Sequence, residues 1–498
     1  MAYEVVVVGG GFGGLTAAAL LAARGLSVCL LEKQSRAGGC AAGFEKFGYR
    51  FESGAGLYAG FGPGEIHERV FQELPAAPPE IYPLQPSYTV RLPDKTDIAI
   101  TGDTAQFEQS LRDCFPECSE AAINFYRELA PISEALQRTL ARVPDLLTAS
   151  RLRRLRAAAQ ESRIAHKIFS AVTHTAAQHL EKTSTRFRRF IDAQLQIFGQ
   201  RESRDCAYLY AAVALSLPRQ GMHGIKGGAS ALADSLIQSI IESGGEVRFD
   251  TTALRLAYDS SGRAQGLDLL TGERIEATRA IISNLTVWDT YGKLVGLNRT
   301  PAEIRNRLKT LRGWGAYLLY LGMEEETAQK LPSQNLLALN EWQTEEQMYE
   351  PESAQLMFSA APASDTRAPA GKRAVTVSAF TEAAEWFGFH EDESGHEAQD
   401  QSALEAHWQR LHQAVPELAD GIEVIETATP RTFYEDTRRK LGMAGGVGQS
   451  LDVFGPNSIS HRTILPNLYM VGDNTFPGNG VAAVTHSGLI VANEITGS

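Results

Sequence analysis

The sequence predicts an α/β chain. A Rossmann-type nucleotide-binding domain is split over three segments, with an inserted α+β substrate domain rich in helices. Three observations predict it. Residues 4–32 run strand, glycine turn, helix, strand, acid. Around Lys226-Gly227-Gly228 a second glycine turn is followed by a helix and a strand. Near the end of the chain a strand closes on Gly472-Asp473, and a glycine loop opens a final helix.

The first segment carries the most information. Glu4-Val5-Val6-Val7-Val8 is an apolar strand, and Gly9-Gly10-Gly11-Phe12-Gly13-Gly14 follows without a gap. Leu15, Ala18, Leu21 and Ala22 continue with helical spacing to Arg24-Gly25, and Ser27-Val28-Cys29-Leu30-Leu31 returns as a strand that closes on Glu32. This is the dinucleotide-binding fingerprint in its full context. Gly9 makes the turn, Gly11 lets a pyrophosphate approach the backbone, and Gly14 lets the helix pack closely on the sheet. The helix start offers free N–H groups and a positive dipole end to phosphates. Glu32, eighteen residues after Gly14, is placed to accept from a ribose. Lys33 follows it, and Gly38-Gly39-Cys40 supplies a second close backbone approach. Phe47-Gly48-Tyr49-Arg50-Phe51-Glu52-Ser53-Gly54 reads as a small hairpin with one apolar face.

Composition bounds the rest. At 498 residues, two or more domains are expected. Hydrophobic content of 43% and charged content of 21% describe an ordinary globular chain. A net charge of −12 argues against a nucleic-acid partner. The five cysteines, at 29, 40, 114, 118 and 206, are scattered and never spaced CxxC. No disulfide framework or metal site is expected, and a reducing, cytoplasmic compartment fits. The fold starts at residue 4 with no basic leader, so no signal peptide is expected. The apolar stretch 5–31 is broken by glycines and Arg24, which makes it a Rossmann unit and not a membrane span.

Along the chain, residues 74–86 are proline-rich and read as a connector. Residues 87–92 and 97–100 read as strands about a Pro93-Asp94 turn. Residues 104–215 are almost wholly helical in pattern, with 186–217 continuing as helix. Within them Arg151-Leu152-Arg153-Arg154-Leu155-Arg156, followed by Arg163, His166 and Lys167, is a basic cluster in an acidic protein. Leu152 and Leu155 share a face, so the cluster reads as docking onto anionic headgroups, against a solvated face of paired arginines. The helical stripe from Phe187 to Phe198 reads as core or as the wall of an apolar pocket. His223, flanked by glycines, reads as a local hydrogen-bonding residue. Residues 253–283 alternate as strands about turns at 259–262 and 271–272. Residues 315–322, 354–358 and 374–380 read as buried strands, and the charged stretch 391–400 as a mobile surface loop.

These motifs resemble the flavoprotein superfamily of amine oxidases, carotenoid desaturases and carotenoid cis–trans isomerases. The double glycine after the ribose-binding acid, the segment at 224–253, and Gly472-Asp473 with Pro477-Gly478-Asn479-Gly480 all carry the likeness. Amine oxidases usually have Arg after the glycine pair. Cys40 here is more like the desaturase and isomerase branch, which also includes retinol-saturase-like enzymes. Ile281-Ile282-Ser283-Asn284 and the run from Trp288 to Leu294 are similar to carotenoid isomerases at the same places.

The resemblance implies a glutathione-reductase-like FAD domain at 1–70, 220–290 and 460–498. The substrate domain is then 71–219 and 291–459, with 145–200 helical and facing a membrane. FAD would be held by Gly9, Gly11, Phe12, Gly13, Gly14, Glu32, Lys33, Gly38, Gly39, Cys40, Ala253, Gly472, Asp473, Gly480 and Val481. Ala253 falls at the adenine contact.

The implied function is an FAD-dependent oxidoreductase on a long apolar polyene or isoprenoid. It acts by carotenoid desaturation, with hydride passing to flavin N5, or by flavin-dependent cis–trans isomerisation. The alternatives are a retinol-saturase-like or fatty-acyl oxidoreductase, then an amine oxidase or a non-catalytic FAD- or pigment-binding protein. With no second GxGxxG for a nicotinamide, quinone or oxygen is the expected acceptor. No acid or histidine outside the cofactor motifs has a spacing that marks it as catalytic.

Overall fold

Two seven-stranded sheets organise the chain. The computed structural model describes residues 2–497, apart from 162–163, 165–166, 169–170, 345–346, 348, 389–392 and 419. In the first sheet, strand Ala2–Val8 lies between Arg274–Ser283 and Val28–Leu31, parallel to both. Glu246–Arg248 extends one side and Leu468–Met470 pairs with Arg274–Ser283. Strands from three distant stretches therefore share one ladder. Ala253–Tyr258, Ala264–Leu269 and Arg274–Ser283 form an antiparallel meander at its edge.

The period of a strand explains the layering. Val5 and Val7 face the core under helices Phe12–Ala23, Ala229–Glu242 and Val481–Thr496, while Val6 and Val8 face the core under the meander. A run of four valines buried on both faces is what a parallel sheet covered on both sides requires.

The second sheet runs Ile422–Ala428, Gly315–Glu324, Lys372–Thr381, Gln355–Ala360, Asn335–Leu339, Tyr88–Arg91, Asp97–Ile100. Leu337, Leu339 and Met357 face a layer built from helices Thr104–Cys114, Ser119–Arg142, Thr185–Gly199 and Tyr208–Gln220. Leu336, Ala338, Leu356 and Phe358 face the other way, toward Trp386 and Leu411.

Four readings of the sequence are corrected. Residues 81–84 are not connector: Ile81–Leu84 pairs antiparallel with Met222–Ile225. Proline is tolerated at such a two-stranded edge. The helix expected over 186–217 is two helices, interrupted after Gly199, where Gln200 turns left-handed at φ 54° and Ser203 N donates to the buried Asp192 carboxylate (2.7 Å). Of the loop expected at 391–400, residues 391–392 lie outside the described residues, and the remainder opens helix Glu393–Ala414. Its charges are the solvent face of a helix that buries Leu411 and His407, and Tyr317 Oη donates to Asp400 (2.8 Å). The hairpin read at 47–54 sits earlier: strands Phe44–Lys46 and Tyr49–Phe51 join at Phe47-Gly48.

A buried ionic cluster joins the two sheets. Arg367 Nη1 donates to Glu52 (2.5 Å) and its Nε to Asp365 (2.8 Å), with all three side chains under a tenth exposed. Glu52 also accepts from Tyr58 Oη and from Ala229 N (2.8 Å), the first N–H of helix Ala229–Glu242. Thr376 of the second sheet donates to the Glu52 carbonyl (2.8 Å). Removing the cation alone strands two carboxylates in low dielectric. Arg367→Met is therefore expected to destabilise by about 3–5 kcal/mol in chemical denaturation. Adding Glu52→Gln to it should cost less than the sum of the two single changes.

Candidate functional site

The glycine turn after the first strand is packed around one side chain from another segment. Asn284, next after strand Arg274–Ser283, donates its N–H to Val8 O (2.9 Å) and turns its amide into the turn. A Cβ on Gly11 would lie 2.5 Å from Asn284 Nδ2, and Cβ atoms on Gly13 and Gly472 would each lie 3.0 Å from its Oδ1. Gly14 supports the turn from beneath, since a Cβ there would lie 2.4 Å from Gly9 O. In the sequence Asn284 figures only as the last residue of Ile281-Ile282-Ser283-Asn284, with no part in the site. Its signal was its place directly after a parallel strand, where open α/β sheets bind ligands.

Above this turn lies a cavity of about 1070 Å³. Pockets for drug-sized ligands span roughly 300–1,000 Å³, so the space suits an extended dinucleotide. Gly9, Gly11, Phe12, Gly13, Glu32, Lys33, Gly38, Gly39, Cys40 and Ala253 line it, as do Gly472, Asp473, Gly480 and Val481. Gly14 is the one expected residue outside the wall.

The chemistry of the wall fits a diphosphate flanked by sugars. Helices Phe12–Ala23 and Val481–Thr496 begin at Gly11 and Gly480 without a side-chain cap, which leaves first-turn N–H groups open to an anion. Helix Ala229–Glu242, by contrast, has its first N–H taken by Glu52. Glu32 accepts from Gly10 N (2.6 Å) and Gln34 N (2.8 Å). Burial pushes its carboxyl above the usual range, and these backbone donors pull the other way.

The cavity continues toward the second sheet, where Phe44, Ser53, Tyr320, Ala428 and Phe433 line it. Phe44 and Tyr320 meet edge to face at 4.6 Å between centroids. Ser53 Oγ donates to Ala42 O (3.1 Å), so the 3.2 Å contact between the two hydroxyls uses the Tyr320 proton. Burial raises the Tyr320 phenol well above its ordinary range, so it stays neutral. His223 lies in strand Met222–Ile225, where its backbone N–H and C=O pair with Tyr58 (2.8 and 3.0 Å), while its buried Nδ1 has no hydrogen-bond partner among the described residues.

A strap from outside the three nucleotide segments closes one side. Helix Pro430–Thr437 is capped by Thr429 and leads into a loop through Gly445. Lys33 Nζ donates to Glu435 O (2.6 Å), Arg36 pairs with Asp436 (3.3 Å), and Lys440 N donates to Asp289 (3.2 Å). Asp436, Arg438 and Arg439 all line the cavity. Sequence reasoning missed this strap, because no motif marks it and its partners lie about 400 positions away.

Comparison with known proteins gives a consistent picture. A family model described as "Flavin containing amine oxidoreductase" matches residues 12–496. The chloroplastic prolycopene isomerase of Arabidopsis thaliana is 26% identical over 517 residues, covering 99% of this chain and 82% of that one. The human all-trans-retinol 13,14-reductase is 25% identical over 521 residues, covering 97% and 83%. Among solved structures, an oxidoreductase from Methanosarcina mazei superposes with a TM-score of 0.66 at 17% identity, covering 99% of both chains. A putrescine oxidase bound to putrescine superposes with a TM-score of 0.62 at 14% identity, covering both chains fully.

Two outcomes follow for purified protein. Gly14→Ala meets a backbone oxygen that cannot swing away, so flavin absorbance should be lost with a destabilisation of about 1–3 kcal/mol. Glu32→Gln should weaken FAD about tenfold at neutral pH in a fluorescence titration. The wild type should lose affinity on acidification, as the Glu32 carboxylate protonates at a higher pH than an ordinary glutamate. The Gln variant should lack that step.

Proposed function

The chain belongs to the flavin containing amine oxidoreductase family, an FAD-dependent oxidoreductase with the α/β fold of that family, and we propose that it acts on a long apolar polyene. The observation that carries this reading is the likeness, over 97–99% of the chain, to two proteins named for conjugated isoprenoids, a prolycopene isomerase and a retinol reductase. The reaction proposed is cis–trans isomerisation or desaturation of a carotenoid, with saturation of a retinoid-like chain as the alternative.

Bound FAD supplies the hydride or electron transfer. The chain's own residues hold and shield. Gly9, Gly11, Gly13, Gly38, Gly39 and Cys40 would receive the diphosphate side of the cofactor against the uncapped helix at Gly11. Phe12 and Lys33 would flank it, and Gly14 would seat the helix. Glu32 would accept from the ribose, Ala253 would meet the adenine, and Asp473, Gly472, Gly480 and Val481 would meet the ribityl and ring side. Phe44, Tyr320 and Phe433 form an aromatic wall beside that path, able to pack on an apolar chain and keep water out. With Tyr320 neutral and its proton committed to Ser53, this wall orients a substrate and offers no base. For desaturation, which releases two electrons, quinone or oxygen is the proposed acceptor.

Membrane contact is part of the proposal. Among the described residues no helix is long and apolar enough to cross a membrane. Helix Arg151–Gln160 instead presents Leu152 and Leu155, 68% and 66% exposed, among exposed Arg151, Arg153, Arg154 and Arg156. Arg153 pairs with Asp145 (2.9 Å), as a solvated face of paired arginines would have it for that one side chain. Arg163 and His166 of the same cluster lie outside the described residues. All five cysteines are free thiols, in keeping with the proposed reducing, cytoplasmic setting.

Expression in cells that accumulate a series of carotenoids, with chromatography of the pigments, tests the substrate. A new isomer or desaturation product is expected, and unchanged pigments in every strain, with retinol also unchanged, would overturn the reading. In vesicle sedimentation the protein should bind anionic but not neutral vesicles. Leu152→Ser with Arg154→Glu should abolish binding and leave flavin content intact.

A further inference from the structure

Five cations line the cavity: Lys33, Arg36, Lys293, Arg438 and Arg439. Four are drawn to the strap or the outside. Lys33 and Arg36 hold Asp436, Lys293 pairs with Asp289 (2.8 Å), and the exposed Arg438 lies over the Tyr434 ring. Arg439 is different. Its side chain is 13% exposed, and its Nη2 donates to Asp473 (2.9 Å), the acid in the Gly472-Asp473 turn after strand Leu468–Met470. Its Nε donates to Met443 O (2.9 Å) and Nη2 also to Gly445 O, which fixes the plane of the guanidinium. Among the described residues Nη1 has no hydrogen-bond partner, so that end of the fork is left for the cavity.

Its neighbourhood says what it faces. Cys40, in the turn that begins at Gly38, lines the same cavity as Arg439. A Cβ on Gly39 of that turn would lie 3.2 Å from Gly11 Cα. The two glycine turns are therefore in contact, at the uncapped start of helix Phe12–Ala23. Burial works against the charge of Arg439, but the Asp473 carboxylate, with Asp289, more than offsets it and keeps the group cationic.

We propose that Arg439 is the cation that binds the FAD diphosphate, so that a residue from outside the three nucleotide segments completes the cofactor site and latches the strap over it. A guanidinium suits the task, since its planar fork can hold a carboxylate and a phosphate oxygen together. The strap then closes firmly only when the cofactor is in place. The proposal concerns cofactor binding and is independent of the polyene substrate.

The test uses full-length protein stripped of flavin and titrated with FAD and with riboflavin, which lacks the diphosphate, at low and high KCl. Arg439→Gln should weaken FAD about ten- to hundredfold and leave riboflavin within about twofold. It should also flatten the salt dependence seen with FAD in the wild type. Arg439→Lys, which keeps the charge without the fork, should fall between the two. Trypsin adds a second readout: FAD should protect the Arg438–Lys440 bonds in the wild type but not in Arg439→Gln. Unchanged FAD affinity, or equal weakening of FAD and riboflavin, would overturn the proposal. Circular dichroism of the stripped variants checks that they fold. If Arg439→Gln does not, the same FAD-to-riboflavin ratio is read from Arg439→Lys. No substrate is used, so failure of the polyene assay leaves this result standing.

Discussion

The side chain of Asn284 is the point on which three distant parts of the chain agree. It fills space that glycines leave open at 11 and 13 in the first segment and at 472 in the last. Its own backbone holds it there, through the bond to Val8 O and through the strand that precedes it. The close approach works only because no Cβ intervenes, so the glycines are required by this asparagine as well as by any ligand above them. The turn, the Gly-Asp end of strand Leu468–Met470 and the two uncapped helix starts are thereby held in one arrangement around one cavity.

A second constraint divides the helix termini by purpose. Three helices cover one face of the first sheet. One of them has its first N–H satisfied by Glu52, within a cluster that also holds Arg367 and Asp365 from beyond the second sheet's strand Gln355–Ala360. The other two are left without caps and point at the cavity. A helix start with no protein partner is costly unless water or a ligand serves it. The carboxylate of Glu52 thus ties the two sheets together, while the uncapped starts stay open at the cavity.

Much of this was legible in the sequence because the signals are local. The fold class follows from the four valines of the first strand, the glycine turn at 9–14, the acid at 32 and the Gly-Asp turn at 472–473. Each is a short-range pattern whose physical job is done by neighbours in the chain. The misreadings came where a local pattern has two outcomes. Charged residues at 393–400 look like a loop in one dimension and are the wet face of a helix in three. Residues 81–84, inside the proline-rich stretch 74–86, look like a connector, yet pair with a strand about 140 positions later.

By itself the sequence determined that the chain opens on a strand, glycine turn and helix with the dinucleotide-binding pattern, and that two further segments return to the same sheet. Backbone geometry at glycine and the alternation of buried valines are encoded residue by residue, so one segment is enough to read them. Only the tertiary structure decided what surrounds that motif. Asn284 in the turn, the Glu52–Arg367 cluster between the sheets and Arg439 on the strap each depend on partners far away in the chain. An isolated asparagine, glutamate or arginine looks like any other until folding removes water from around it. Desolvation then makes its few contacts decisive.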